Sequence, residues 1–114
     1  MEPILPAILP RAALDRLVRA FDPERIVLFG SYAKGTSRPD SDIDLLVVAD
    51  LEGDPRMHLR RARQLVADLF PVIDIVLCTP DDLADTDTAR SPFLLSVLGS
   101  GIIVYCAPQN RART

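Results

Sequence analysis

The chain has 114 residues, of which 48% are hydrophobic and 25% charged, with a formal net charge of −3 and two cysteines. That size supports one hydrophobic core and leaves little room for a second functional domain. The charge excludes a global basic field for nucleic acid, and no apolar run approaches the roughly 18 residues of a membrane span. Cys78 and Cys106 are too few and too far apart for a metal knuckle. Each ends an apolar run, so both are expected as buried, reduced thiols. The start, MEPILPAILPR, lacks a basic n-region and carries three prolines, which argues against a signal peptide and points to the cytoplasm.

In chain order, Pro10 opens a helix expected to run to residue 20, with Leu14, Leu17, Val18 and Phe21 on one stripe. Ile4, Leu5, Ile8 and Leu9, among prolines, suit either an interface or core. Asp22-Pro23 breaks the helix, and RIVLF (25–29) reads as a short buried strand. Residues 31–34 suit a short helix that Gly35 ends, and TSRPDS (36–41) is a loop by composition. IDLLVV (43–48) is a second strand. Asp54 and Pro55 supply a helix cap and first position, with a helix expected to about residue 70. Its apolar stripe is Leu59, Ala62, Val66 and Leu69. Arg56, Arg60 and Arg63 share another face, suited to solvent, an acidic partner or a nucleotide. His58, the only histidine, reads as a surface residue of that helix. VIDIVLC (72–78) is a third strand. Thr79-Pro80 and Ser91-Pro92 each signal a further helix start; the second helix ends at Gly99 or Gly101, before a last strand, IIVY (102–105). The alternation gives an α/β domain over residues 1–108, with a polar tail, 109–114, expected to fray. Strand order and direction do not follow from the sequence.

Three acids interrupt the apolar pattern. Residues two apart on a strand share a face, so Asp42 and Asp44 project together, with Cα atoms roughly 6–7 Å apart, while Ile43 and Leu45 turn into a core. Asp74 is the only acid in its own run. If its strand lies beside the second, about 4.8 Å away, its carboxylate joins the pair. Such a trio repels itself, and divalent cations relieve the repulsion. Hard oxygen ligands suit Mg²⁺ completed by substrate phosphates, and two ions about 3.5–4 Å apart can hold the attacking and leaving oxygens of a displacement. Taken singly, Asp42 also suits a loop acid and Asp74 a salt-bridged strand acid. Asp40, Asp42 and Asp44 begin like a calcium loop, but Leu45 and Leu51 stand where Gly and Glu are needed.

The segment Gly30-Ser-Tyr-Ala-Lys-Gly35 follows the first strand. Gly30 allows close approach of a ligand to the backbone, and Ser31 offers a hydroxyl and an amide at a helix start, where phosphate is favoured. It is neither a Walker loop, since Thr36 replaces the lysine, nor a G-x-G-x-x-G fingerprint.

Gly30-Ser31, Gly35, Ser41-Asp42-Ile43-Asp44-Leu45 and the later Asp74 together resemble the minimal nucleotidyltransferases of the DNA polymerase β-like superfamily. The resemblance implies a nucleotidyltransferase catalytic head: a mixed β-sheet with flanking helices. It implies that Asp42, Asp44 and Asp74 are catalytic and hold two Mg²⁺ ions. Gly30, Ser31, Lys34 and Ser41 would bind ATP. Lys34 stands where the family usually has Arg, which keeps the charge and loses the planar fork. The family also implies a partner. Minimal nucleotidyltransferases are commonly encoded beside HEPN-domain toxins, which they neutralise by transferring AMP or by binding. The expectation is therefore a Mg²⁺-dependent protein adenylyltransferase acting as antitoxin in a complex with its toxin, without direct nucleic-acid or membrane binding. The alternatives are a catalytically silent antitoxin, and transfer to a small molecule or nucleic acid with a partner domain's help.

Overall fold

The computed structural model describes residues 9–38, 41–84 and 92–108. Ile4, Leu5 and Ile8, Asp40, Ser91 and the tail 109–114 lie outside them. The elements are α1 (Arg11–Phe21), β1 (Arg25–Phe29), α2 (Ser31–Lys34), β2 (Ile43–Val48), α3 (Pro55–Val66), β3 (Ile73–Cys78), α4 (Pro80–Ala84), α5 (Pro92–Ser100) and β4 (Ile102–Cys106). The strands form one sheet in the order β3-β2-β1-β4. β1 runs antiparallel to both β2 and β4, and β2 runs parallel to β3. The expected mixed sheet with flanking helices is thus present.

Local chemistry accounts for most boundaries. Asp22 ends α1 in the left-handed region, φ 48°, and its N–H donates to the Val18 carbonyl at 2.9 Å. The Asp54 carboxylate accepts from the Arg56 N–H at 2.9 Å, and Pro55 fills the first position of α3. Thr79 and Asp82 form a reciprocal capping box: the Thr79 N–H donates to Asp82 Oδ2 at 2.9 Å, and the Asp82 N–H to Thr79 Oγ1 at 3.2 Å.

Three expectations need correcting. The α3 helix stops at Val66 rather than near residue 70, because the chain turns there: Leu69 N–H donates to the Val66 carbonyl, and Arg16 of α1 holds the turn through the Leu65 carbonyl (2.9 Å) and Asp68 (2.7 Å). Cys106 is exposed at the end of β4, whereas Cys78, at the end of β3, packs with Val27, Leu46, Val48 and Val97 and is buried as expected. His58 is half-buried: its ring meets the edge of Phe21 at 6.3 Å and its Nε2 contacts the Glu52 carbonyl.

Both faces of the sheet are covered, and strand alternation divides them cleanly. Ile43, Leu45 and Val47 pack with Leu17 of α1 and with Ala62 and Val66 of α3. Leu46 and Val48 point the other way, onto Val27, Cys78 and Val97 of α5. Residues 45–48 of β2 show no solvent exposure, so this strand is held from both sides. No buried side-chain nitrogen or oxygen among the described residues lacks a hydrogen-bond partner. Leu17 is fully buried between α1 and the sheet. Leu17→Ala is expected to lower unfolding free energy by about 2–5 kcal/mol in urea titration, with the slope unchanged.

Candidate active site

The three acids are placed by β2 and β3. Asp44 is the second residue of β2 and pairs in register with Asp74 of β3. On its other side Asp44 pairs with Phe29, the last residue of β1. Residues directly opposite on paired strands share a face, so Asp74, Asp44 and Phe29 form a row across three strands. Asp42 precedes Asp44 by two residues at the entrance to β2. This row continues the face of Leu46 and Val48, away from α1 and α3. The condition set by the sequence, that the strand of residue 74 lie beside that of residue 44, is met.

Burial grades the acids. Asp44 is half-buried, whereas Asp42 and Asp74 are exposed. Burial pushes the Asp44 carboxyl above its ordinary value, and the negative charges of Asp74 and Asp42 push it further. The three groups therefore sense one another. As they stand, no three His, Cys, Asp or Glu side chains among the described residues are gathered closely enough to hold a metal ion. Carboxylates with no cation between them repel, and the two exposed members are free to splay. The donor set is all oxygen and anionic, which suits Mg²⁺.

Gly30 is required here twice over. It follows β1 directly, at φ 77°, where a side chain is strained. A Cβ at this position would also meet Asp44 Oδ2 at 2.2 Å, well inside contact distance. The bare backbone is what leaves room for the Asp44 carboxylate at the strand end. Ser31 begins α2, half-buried, and Lys34 lies exposed in its last turn. Four residues carry little macrodipole, so a phosphate here would rest on individual amides rather than on a helix field. The Ser41 hydroxyl serves to shape the loop before β2. It accepts from the Arg38 N–H at 2.7 Å, while the Ser41 N–H donates to the Arg38 carbonyl at 2.9 Å. Tyr32 of α2 fastens that loop by donating to the Ser41 carbonyl at 3.2 Å.

Sequence reasoning missed the aromatic end of the row. Phe29 meets Phe93 of α5 edge to face, with ring centroids 5.5 Å apart and an interplanar angle of 83°. In the sequence both are ordinary members of apolar runs. The arginine face is excluded from this site. Arg56, Arg60 and Arg63 line a groove of about 420 Å³ along α3, on the opposite side of the sheet from the carboxylates. A second groove, about 510 Å³ between α1 and α3, is equally remote.

The sequence profile of the family "Polymerase beta, Nucleotidyltransferase" matches residues 14–110. The chain belongs to the polymerase beta nucleotidyltransferase family. A toxin–antitoxin complex solved with AMP-PNP contains a similar chain, 27% identical, with a TM-score of 0.58 over 90% of this nucleotidyltransferase and 77% of that chain. An MntA–HpeT toxin–antitoxin complex carrying two Asp-to-Glu substitutions is 25% identical, with a TM-score of 0.56 over the same shares, 90% and 77%. A candidate protein adenylyltransferase of Methanocaldococcus jannaschii is 52% identical over 31 residues, 27% of this chain and 31% of that protein. The match thus spans about a third of the curated relative's length.

The raised Asp44 pKa has a definite consequence for stability. A carboxyl that holds its proton more tightly when folded destabilises the fold as pH rises past its unfolded value, 3.8, and fully so above the raised value. Asp44→Asn is therefore expected to melt higher than the parent at pH 7 without divalent ions. The difference should close as pH falls below 3.8. Mg²⁺ should stabilise the parent and leave the variant nearly unchanged. Differential scanning fluorimetry across pH measures all three.

Proposed function

We propose that this domain transfers AMP from ATP to a hydroxyl of a partner toxin protein of the HEPN type, and neutralises it as an antitoxin. One observation carries the reading: Asp44 and Asp74 stand in register on parallel strands, with Asp42 two residues away and the side-chain-free Gly30 against the Asp44 carboxylate. The similar chain in a toxin–antitoxin complex with AMP-PNP and the similar candidate protein adenylyltransferase support it.

Asp42, Asp44 and Asp74 would hold two Mg²⁺ ions, which would neutralise the triphosphate and the charge developing at the reacting phosphorus. The chain's own residues do the rest. Gly30 and Ser31 bring backbone and hydroxyl against the phosphates. Asp74 takes the proton of the acceptor hydroxyl. The hydroxyl oxygen bonds to the α-phosphorus, the α-phosphorus–oxygen bond to the β-phosphate breaks, and pyrophosphate leaves with that electron pair. β3 is an edge strand and Asp74 is exposed on it, so the acceptor approaches from open solvent. The two grooves along α1 and α3 do not include the carboxylates. That openness suits a hydroxyl presented by a macromolecule better than a small acceptor needing a pocket.

A binding-only antitoxin is the second reading, and it draws on the lack of a ready-gathered trio of ligands among the described residues. Purified domain, ATP, Mg²⁺ and the toxin separate the two. Under the transfer reading, the toxin's mass rises by one or more AMP units, and Asp42→Asn with Asp44→Asn abolishes both that rise and neutralisation. An unmodified toxin that the double variant still silences would establish binding alone. Gly30→Ala is expected to lower transfer about a hundredfold with the circular dichroism spectrum intact, because it displaces the Asp44 carboxylate.

A further inference from the structure

Phe93 is a large exposed side chain that the site as described leaves unexplained. It stands in the first turn of α5, is 48% exposed, and meets Phe29 edge to face. Phe29 is itself half-buried against the Val27 and Leu46 side of the core and pairs in register with Asp44. The face therefore runs without interruption from two carboxylates to two phenyl rings. Neighbouring strands are about 4.8 Å apart, so the Phe29 backbone lies one strand from Asp44 and two from Asp74. Phe93 stands one ring spacing, 5.5 Å, from Phe29. A large exposed aromatic held against a second ring loses little conformational freedom on binding a flat ligand.

We propose that Phe93, braced by Phe29, is the stacking platform for the base of the incoming nucleotide. The proposal rests on the reading of the carboxylates as the triphosphate and metal site. A nucleoside triphosphate is charged at one end and aromatic at the other, and the row matches that order. Two phenyl rings offer no hydrogen-bonding group, so they discriminate by stacking area and not by base edge. The platform therefore favours purines over pyrimidines and separates ATP poorly from GTP. Stacking of a base on an aromatic side chain is worth about tenfold or more in affinity.

The chain contains no tryptophan, so Phe93→Trp introduces a single fluorescent reporter. With Mg²⁺ present, ATP and GTP should quench its emission strongly and CTP less. Inorganic tripolyphosphate, which has no base, should bind without quenching and should compete with ATP. Phe93→Ala should weaken ATP about tenfold by calorimetry and leave tripolyphosphate unchanged, with Phe93→Tyr restoring ATP. If tripolyphosphate binds but Phe93→Ala leaves ATP as tight as before, or weakens both ligands equally, the platform is overturned and the metal-site reading stands. If neither ligand binds and Asp42→Asn makes no difference, both fall together.

Discussion

Two acids facing each other on adjacent strands are an energetic burden, and the rest of the molecule is arranged so that it can be carried. Asp44 is half-buried, with the charges of Asp74 and Asp42 around it, and each raises the cost of ionising it. Nothing within the trio offsets that cost. The compensation lies one or two residues further along the same strands. Residues 45–48 are sealed from solvent on both faces, Val27 and Leu28 likewise, and α1, α3 and α5 close over them. A strand clamped from two sides cannot slip by one residue, since a slip would exchange its two faces. Register is what sets Asp44 opposite Asp74, so the apolar core fixes the spacing of the charges without touching them.

The legible part of the fold was the part governed by neighbours in sequence. β1, α2 and β2 fall at the expected residues because Gly30, Gly35 and the apolar runs on either side act within a few positions. The capped starts of α3 and α4 follow from Asp54-Pro55 and Thr79-Pro80 for the same reason. The misplaced end of α3 had a distant cause. Its last turn is held by Arg16, 49 residues away in the chain from Leu65, and no window around residue 66 contains that information. Cys106 looked like Cys78 because both end apolar runs; both also end edge strands, and what distinguishes them is that Cys78 packs against Val27, Leu46, Val48 and Val97.

The site divides along the same line. Asp42 and Asp44 were legible through the two-residue period of a strand, and Asp74 because an acid within an apolar run is conspicuous. Phe29 and Phe93 were not, because an apolar side chain in an apolar run is the expected thing. Their relevance comes from register and from a ring contact, neither of which has a sequence signature. Net charge misled in a similar way. The chain totals −3, yet α1 and α3 together carry seven arginines and one aspartate. Asp44 and Asp74, with Asp42 beside them, lie on the other face of the sheet. A small total conceals two arginine-rich helices on one face of the sheet and a row of carboxylates on the other.

That separation bears on how the site can work. Arginines close to Asp42, Asp44 and Asp74 would draw the carboxylates into ion pairs and lower their pKa values, leaving them less available to cations. With α3 on the far face, Asp44 has Asp74 and Phe29 on either side of it in the row and Gly30 against its carboxylate. Their mutual repulsion then remains as a standing preference for whatever brings positive charge. A triphosphate alone brings the opposite sign and would be repelled; a triphosphate carrying divalent cations is attracted. Under the proposed function, the same unrelieved repulsion that weakens the fold would act as a selector for the metal-loaded nucleotide, and the side of the sheet on which α1 and α3 lie would preserve it.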